Sequence, residues 1–100
     1  MATQFADRSA LSAAVNAWIS GRSAAQAEYG HISSWDVSKV TDLSYLFHNK
    51  GTFNDDIDGW DVSSVVNFAD TFDGATAFDQ PLGRWDTSRS TSLYAMFYNA

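Results

Sequence analysis

A tryptophan recurs every 25 residues, at Trp35, Trp60 and Trp85, and each copy opens nearly the same phrase: WDVS at 35–38 and 60–63, WDTS at 85–88. Self-similarity at a period of roughly 20 to 50 residues marks units that cannot bury their apolar faces alone and must stack on their neighbours. The copies run over 32–56, 57–81 and 82–100, the last shorter than a full period. Apolar positions keep phase: Ile32, Ile57 and Leu82; Val40 and Val65; Leu43, Phe68 and Leu93; Phe47, Phe72 and Phe97; Phe53 and Phe78. Asp36, Asp61 and Asp86 follow each Trp, and Ser38, Ser63 and Ser88 stand two residues later.

Within each copy the residues predict a short extended rung followed by a short helix. The three serines sit where N-cap hydroxyls belong, ahead of KVTDLSYLF, SVVNFADTF and RSTSLYAMF, whose apolar residues recur three, six and seven positions apart. The Asp after each Trp accepts from backbone N–H groups two residues on and shapes the corner. Phe53 with Ile57, and Phe78 with Leu82, read as the inward face of a short strand, Pro81 weakening the second. The expected fold is therefore an α/β repeat, a solenoid of short strands and short helices, with the tryptophans forming a buried ladder.

Residues 1–31 read differently. Leu11, Ala14, Val15, Trp18 and Ile19 fall at helical spacing over residues 7–20, with Asp7 or Ser9 as N-cap and Ser20-Gly21 as the stop. Ser23 and Gln26 have capping-box spacing, and the alanines that follow predict a second short helix to Glu28, closed by Tyr29-Gly30. A helical pair ahead of stacked units reads as an N-terminal cap over the first apolar face.

The charge excludes one class of partner. Twelve acidic residues against six scattered basic ones leave a net charge of −6, so nothing offers the basic patch that a phosphate backbone requires and no nucleic-acid binding is expected. No apolar run approaches the roughly 20 residues of a membrane span, and MATQFADRSA lacks the regions of a signal peptide. With no cysteine, disulfides and thiolate chemistry are excluded.

The phrase FNDDIDGWDVSSV (53–65), the apolar segment ending at Phe72, and ATAFDQPLGRWDTS (75–88) resemble the repeat of BspA-like leucine-rich-repeat surface proteins, in the branch known as a domain of unknown function in bacterial and algal sequences. The resemblance covers residues 32–100 and extends to the leader from Asp7 onward. It implies a leucine-rich-repeat-like solenoid, a place at the cell surface or outside the cell, and a role in display, adhesion or protein interaction, with no catalytic residues to carry over. The chain departs from the pattern at Ser90, where Val40 and Val65 stand in other copies, at Thr71 (Leu46, Met96) and at Lys50 (Ala75, Ala100).

Sharper chemistry finds little support. Asn54, Asp56, Asp58 and Gly59 match the first half of a calcium loop, D-x-D/N-x-D/N-G, but Val65 stands where a bidentate Glu is needed. Asn54, Asp56 and Asp58 are the candidate ligands of an alternative reading, a Ca²⁺ or glycan module on the acidic rung face. His31 and His48 lack further ligands for zinc or a positioned nucleophile for a triad. Carboxylates for glycoside hydrolysis exist at Asp55, Asp56, Asp58 and Asp61, without a cleft around them. No enzyme activity and no cofactor are expected. Positions that vary between copies are the candidates for recognition: Tyr45, Asp70 and Ala95 at one, His48, Asp73 and Tyr98 at another. The third copy stops before an equivalent of Phe53 and Phe78, so the sequence predicts an open apolar end around Trp85, Leu93, Met96, Phe97 and Tyr98: either a continuation of the chain supplies further units, or this face packs against a protein partner or a second copy of the chain.

Overall fold

Helix formation is confined to the first third of the chain, where the sequence carries its caps. A computed structural model describes residues 3–98 and 100. Helix α1 spans Arg8–Ser20; the Asp7 carboxylate accepts from the Ala10 N–H at 2.9 Å, and the Gly21 N–H closes the last turn on Ala17 O. Its buried residues, Leu11, Ala14, Val15 and Trp18, occupy one face at i, i+3, i+4 and i+7. Helix α2 spans Arg22–Tyr29 and packs on α1. A single residue, Gly21, ends one helix and starts the next, so Ser23 already lies inside α2 and the expected capping box does not form. Gly30, at φ +79°, terminates α2 with its N–H on Gln26 O, and one 3₁₀ turn follows at Ile32–Ser34.

The remainder does not build the expected α/β solenoid. Among the described residues there is no strand and no sheet, only isolated parallel bridges joining Gln4 to Asp36, Asp42 to Asn67, and Asn67 to Ser92, and no helix follows Ser34. The cause lies in where the backbone N–H groups go. Those of Leu43, Tyr45, Phe47 and Asn49 leave the first unit and donate to the carbonyls of Asn67, Ala69, Thr71 and Asp73 in the second, at 2.7–3.1 Å. Those of Leu46, His48 and Lys50 fold back three residues, to Leu43 O, Tyr45 O and Phe47 O. An α-helix needs successive N–H groups on i−4 carbonyls, and here alternate ones point to a neighbour instead. Tyr45, Asn49, Asp70 and Ala95 stand at φ between 52° and 59°, with Gly74 at 78°, which breaks helix and strand alike. Each unit is thus a run of tight turns, and the three-, six- and seven-residue apolar spacing serves turns that bury Leu43, Leu46 and Phe47 on one side. Phe53 and Ile57 are buried without any strand to hold them.

The serines expected as helix N-caps bind the preceding Asp instead. The Ser38 hydroxyl and N–H donate to Asp36 Oδ1 at 2.6 and 3.0 Å, and Ser63 does the same to Asp61 at 2.6 and 3.1 Å. The hydroxyl bond, then the N–H, holds the Asp36 and Asp61 carboxyls below their ordinary value, and Ser88 lowers Asp86 in the same way.

The core runs through the stacked units as columns of rings. Phe47, Phe72 and Phe97 lie 5.3 and 5.4 Å apart with planes within 7° and 1° of parallel, and Phe53 and Phe78 form a second pair at 5.7 Å. Each offset pair adds about 0.5–1.5 kcal/mol to the burial of its apolar area. Trp35 and Trp60 are buried and stack at 6.5 Å, while Trp85 is partly buried. Thr71, out of pattern in sequence, is fully buried with its hydroxyl donating to Phe68 O at 2.7 Å and Leu43 O at 3.0 Å. That hydroxyl is satisfied, which removes the desolvation penalty a buried polar group otherwise carries.

Candidate interaction face

The third unit repeats the geometry of the first two without their burial. Leu43, Phe68, Phe47 and Phe72 are fully enclosed, whereas Leu93 and Phe97, at the same unit positions, are each 53% exposed. Tyr94 and Tyr98 beside them are 77% and 63% exposed. Leu82, Trp85, Thr87, Leu93, Met96 and Phe97 line an apolar hollow of about 270 Å³, just under the usual range of small-molecule sites. Phe97 is held flat by its stack on Phe72, and Trp85 by an indole bond to Ile57 O at 2.9 Å.

The positions singled out for their variability form a strip along the side of the turns. The Tyr45 ring meets His48 edge-on at 5.3 Å, and the Asp70 carboxylate beside the Tyr45 phenol raises that hydroxyl above its ordinary value. The Asp70 side chain is buried. His48 Nδ1 lies 3.6 Å from Asp73 Oδ2, too far for a hydrogen bond, and among the described residues it has no partner. The structure thus brings Tyr45 to Asp70 and His48 to Asp73, and sets Tyr98 near the hollow's rim in sequence without placing it in the lining.

The acidic rung is occupied by turn chemistry. Asn54 Oδ1 accepts from Asp79 N–H and Gln80 Nε2, Asp56 Oδ1 from Asp58 N–H, and Asp58 Oδ1 from Arg84 N–H. Among the described residues, no three His, Asp or Glu side chains converge in a way that could hold a metal ion. Asp55 instead ties both helices to the first unit. Its carboxylate accepts from Trp18 Nε1 at 3.0 Å and Arg22 Nη2 at 2.9 Å, and the guanidinium lies over the Trp18 ring at 4.8 Å. A further hollow, of about 340 Å³, lies between the helices, lined by small residues with Ser20 and Glu28. Among the described residues no helix is long and apolar enough to cross a membrane.

Two contributors to the exposed face were not foreseen from sequence. Leu82 and Thr87 line the hollow together with Trp85, Leu93, Met96 and Phe97. Only the repeat phase hinted at either. A family model described as "Mycoplasma protein of unknown function, DUF285" matches residues 19–100, a span that begins within α1 and includes all three copies. No curated protein and no solved structure matches the chain.

Proposed function

This chain belongs to the DUF285 family, the BspA-like group of proteins of unknown function, and on that premise we propose that it is a non-enzymatic interaction module that binds a protein partner through the face of its third unit. The observation that carries the reading is the contrast at equivalent positions: Leu93 and Phe97 are half exposed where Leu43, Phe68, Phe47 and Phe72 are fully enclosed. Burying apolar surface at about 25 cal/mol per Å² favours a covering partner. The surface-protein setting implied by the repeat motif suits display or adhesion, in which contact rather than turnover is the work.

Hydrogen exchange on the isolated chain at low micromolar concentration tests this reading. The amides of Leu93 and Phe97 are expected to exchange far faster than those of Phe68 and Phe72. Equal protection in the dilute chain would mean that the face is not open, and the proposal would fall. Light scattering over a hundredfold concentration range, with Leu93→Ser and Phe97→Ser alongside the parent chain, then separates a second copy from an unlike partner as the covering surface.

A further inference from the structure

The oxygens of Asn54, Asp56 and Asp58 are spent on turn hydrogen bonds, yet the pair that ends this half-motif carries reactivity of another kind. The chain has two Asp-Gly steps, Asp58-Gly59 and Asp73-Gly74. A glycine, lacking Cβ, leaves its backbone nitrogen open to the side chain before it, and that nitrogen can close a five-membered imide ring on the Asp carboxyl carbon. Ring closure requires the amide to give up its proton, so the hydrogen bonding and burial that slow amide exchange slow the ring as well. The fold treats the two steps differently.

Gly74 is fastened. Its N–H donates to Tyr98 O at 3.0 Å, the Asp73 N–H donates to Asp70 O at 3.2 Å, and Asp73 O accepts from Asn49 N–H at 2.7 Å. A Cβ at Gly74 would stand 3.3 Å from Asn49 Cα and closer still to the Asn49 Oδ1, so this step is wedged against the first unit. Gly59 is exposed, and among the described residues its N–H meets no acceptor. A Cβ there would meet nothing nearer than Arg84 Nη1 at 4.0 Å. The Asp58 carboxyl beside it is already oriented: Oδ1 accepts from the Arg84 N–H at 2.9 Å, a donor placed where negative charge gathers when a nitrogen adds to Cγ. The equivalent corners of the other units hold Ser33-Ser34 and Gly83-Arg84, neither of which can form the ring.

We infer that Asp58 is a site of self-modification, isomerising to isoaspartate in the folded chain, and that the fold protects Asp73 from the same reaction. Gly59 N loses its proton and bonds to Asp58 Cγ; the Cγ–Oδ2 bond breaks, and that oxygen, protonated, leaves as water. Water then adds back to the imide. Breaking the N–Cγ bond restores Asp58, whereas breaking the bond from Gly59 N to the Asp58 main-chain carbonyl carbon leaves the chain running through Cβ and Cγ, with no net change in mass. Neither an oxidant nor a partner is required, and the inference is independent of the interaction reading above. The product adds one backbone carbon between Ile57 and Trp60, both buried, inside the turn that Trp60 N–H closes on Ile57 O at 3.1 Å. Ile57 O also holds the Trp85 indole at 2.9 Å, and Asp58 holds the Arg84 amide, so isoaspartate at 58 loosens the third unit from the second.

The test holds the full chain at neutral pH for several weeks, folded and in urea, and then cuts it with trypsin. No Lys or Arg lies between Lys50 and Arg84, so one peptide, 51–84, carries both steps, and electron-transfer fragmentation locates isoaspartate within it. In the folded chain, isoaspartate at 58 is expected to exceed that at 73 by roughly tenfold, the scale of one hydrogen bond that must open first. In urea, where both steps are free, the two yields are expected to agree within about twofold. Asp58→Glu, whose longer side chain cannot close the five-membered ring, is expected to remove the product at 58 in both conditions. In the aged chain the Arg84 amide is expected to lose protection in proportion to the isoaspartate formed. Equal yields at the two steps in the folded chain, or no product at 58 there, overturn the inference. Isoaspartate at 58 with Arg84 protection unchanged overturns the loosening of the third unit while the site stands.

Discussion

Phe72 and Phe97 occupy the same position in successive units, and replacing each by Ala measures how far the third unit is buried in solution. Phe72 is fully enclosed and meets four rings: Phe47 at 5.3 Å, Phe78 at 4.5 Å, Phe97 at 5.4 Å and Trp85 at 6.0 Å. Removing an enclosed Phe costs about 3–5 kcal/mol, transfer and cavity together. Phe97 is 53% exposed and stacks on Phe72 alone. Roughly half of a full burial value of about 1.5–3 kcal/mol, with one aromatic pair at about 0.5–1.5 kcal/mol, gives about 1–3 kcal/mol. For a domain whose whole stability is about 5–15 kcal/mol, Phe72→Ala approaches the limit of folding and Phe97→Ala does not. A difference of about 2 kcal/mol between the centres of these ranges, at about 4–8 °C per kcal/mol, separates the two melting points by roughly 8–16 °C. Urea unfolding followed by tryptophan fluorescence supplies both free energies, with the slopes compared to confirm that the unfolded states are alike. Equal losses for the two variants would refute the reasoning, because they would show Phe97 covered in the protein at work.

Asp55→Ala should cost about 1–3 kcal/mol by leaving the enclosed Trp18 indole N–H without an acceptor, whereas Arg22→Ala, from an exposed guanidinium, should cost under about 1 kcal/mol; equal melting shifts would contradict the assignment. Gly74→Ala should destabilise by at least about 1–2 kcal/mol, since Gly74 sits at φ +78° and an added Cβ meets the Asn49 side chain, while Gly83→Ala, with nothing within 4 Å, should stay within about 0.5 kcal/mol in the same unfolding assay. On pH, the Asp36, Asp61 and Asp86 carboxyls titrate below their ordinary value when folded. Their contribution to stability is therefore complete above the unfolded-state pKa near ~3.9 and is lost as pH falls through the folded values. A melting series should be flat in this respect from pH ~7 to ~5 and decline below ~4, with Ser38→Ala and Ser63→Ala reducing the decline.

The amino-acid sequence by itself determined the unit length, the phase of the apolar columns and the two helices. Trp, Phe and Asp recurring at one interval leave no other period, and Asp7, Gly21 and Gly30 are local signals that act within a turn of their own positions. It determined the Asp corners as well, because the bond from the N–H two residues on is local, whereas the serine hydroxyls, expected to cap helices, bind that same Asp. What it left open was the conformation inside each unit. Apolar residues three, six and seven positions apart suit a short helix, yet the N–H groups of Leu43, Tyr45 and Phe47 bond to a segment about 24 residues further on, and no local pattern records that choice. The same holds for Thr71, whose hydroxyl finds Leu43 O across the unit boundary, and for Asp55, whose partners lie in the two helices. Each is decided by which backbone groups meet when units stack, a property of the folded chain and not of any residue's own preference.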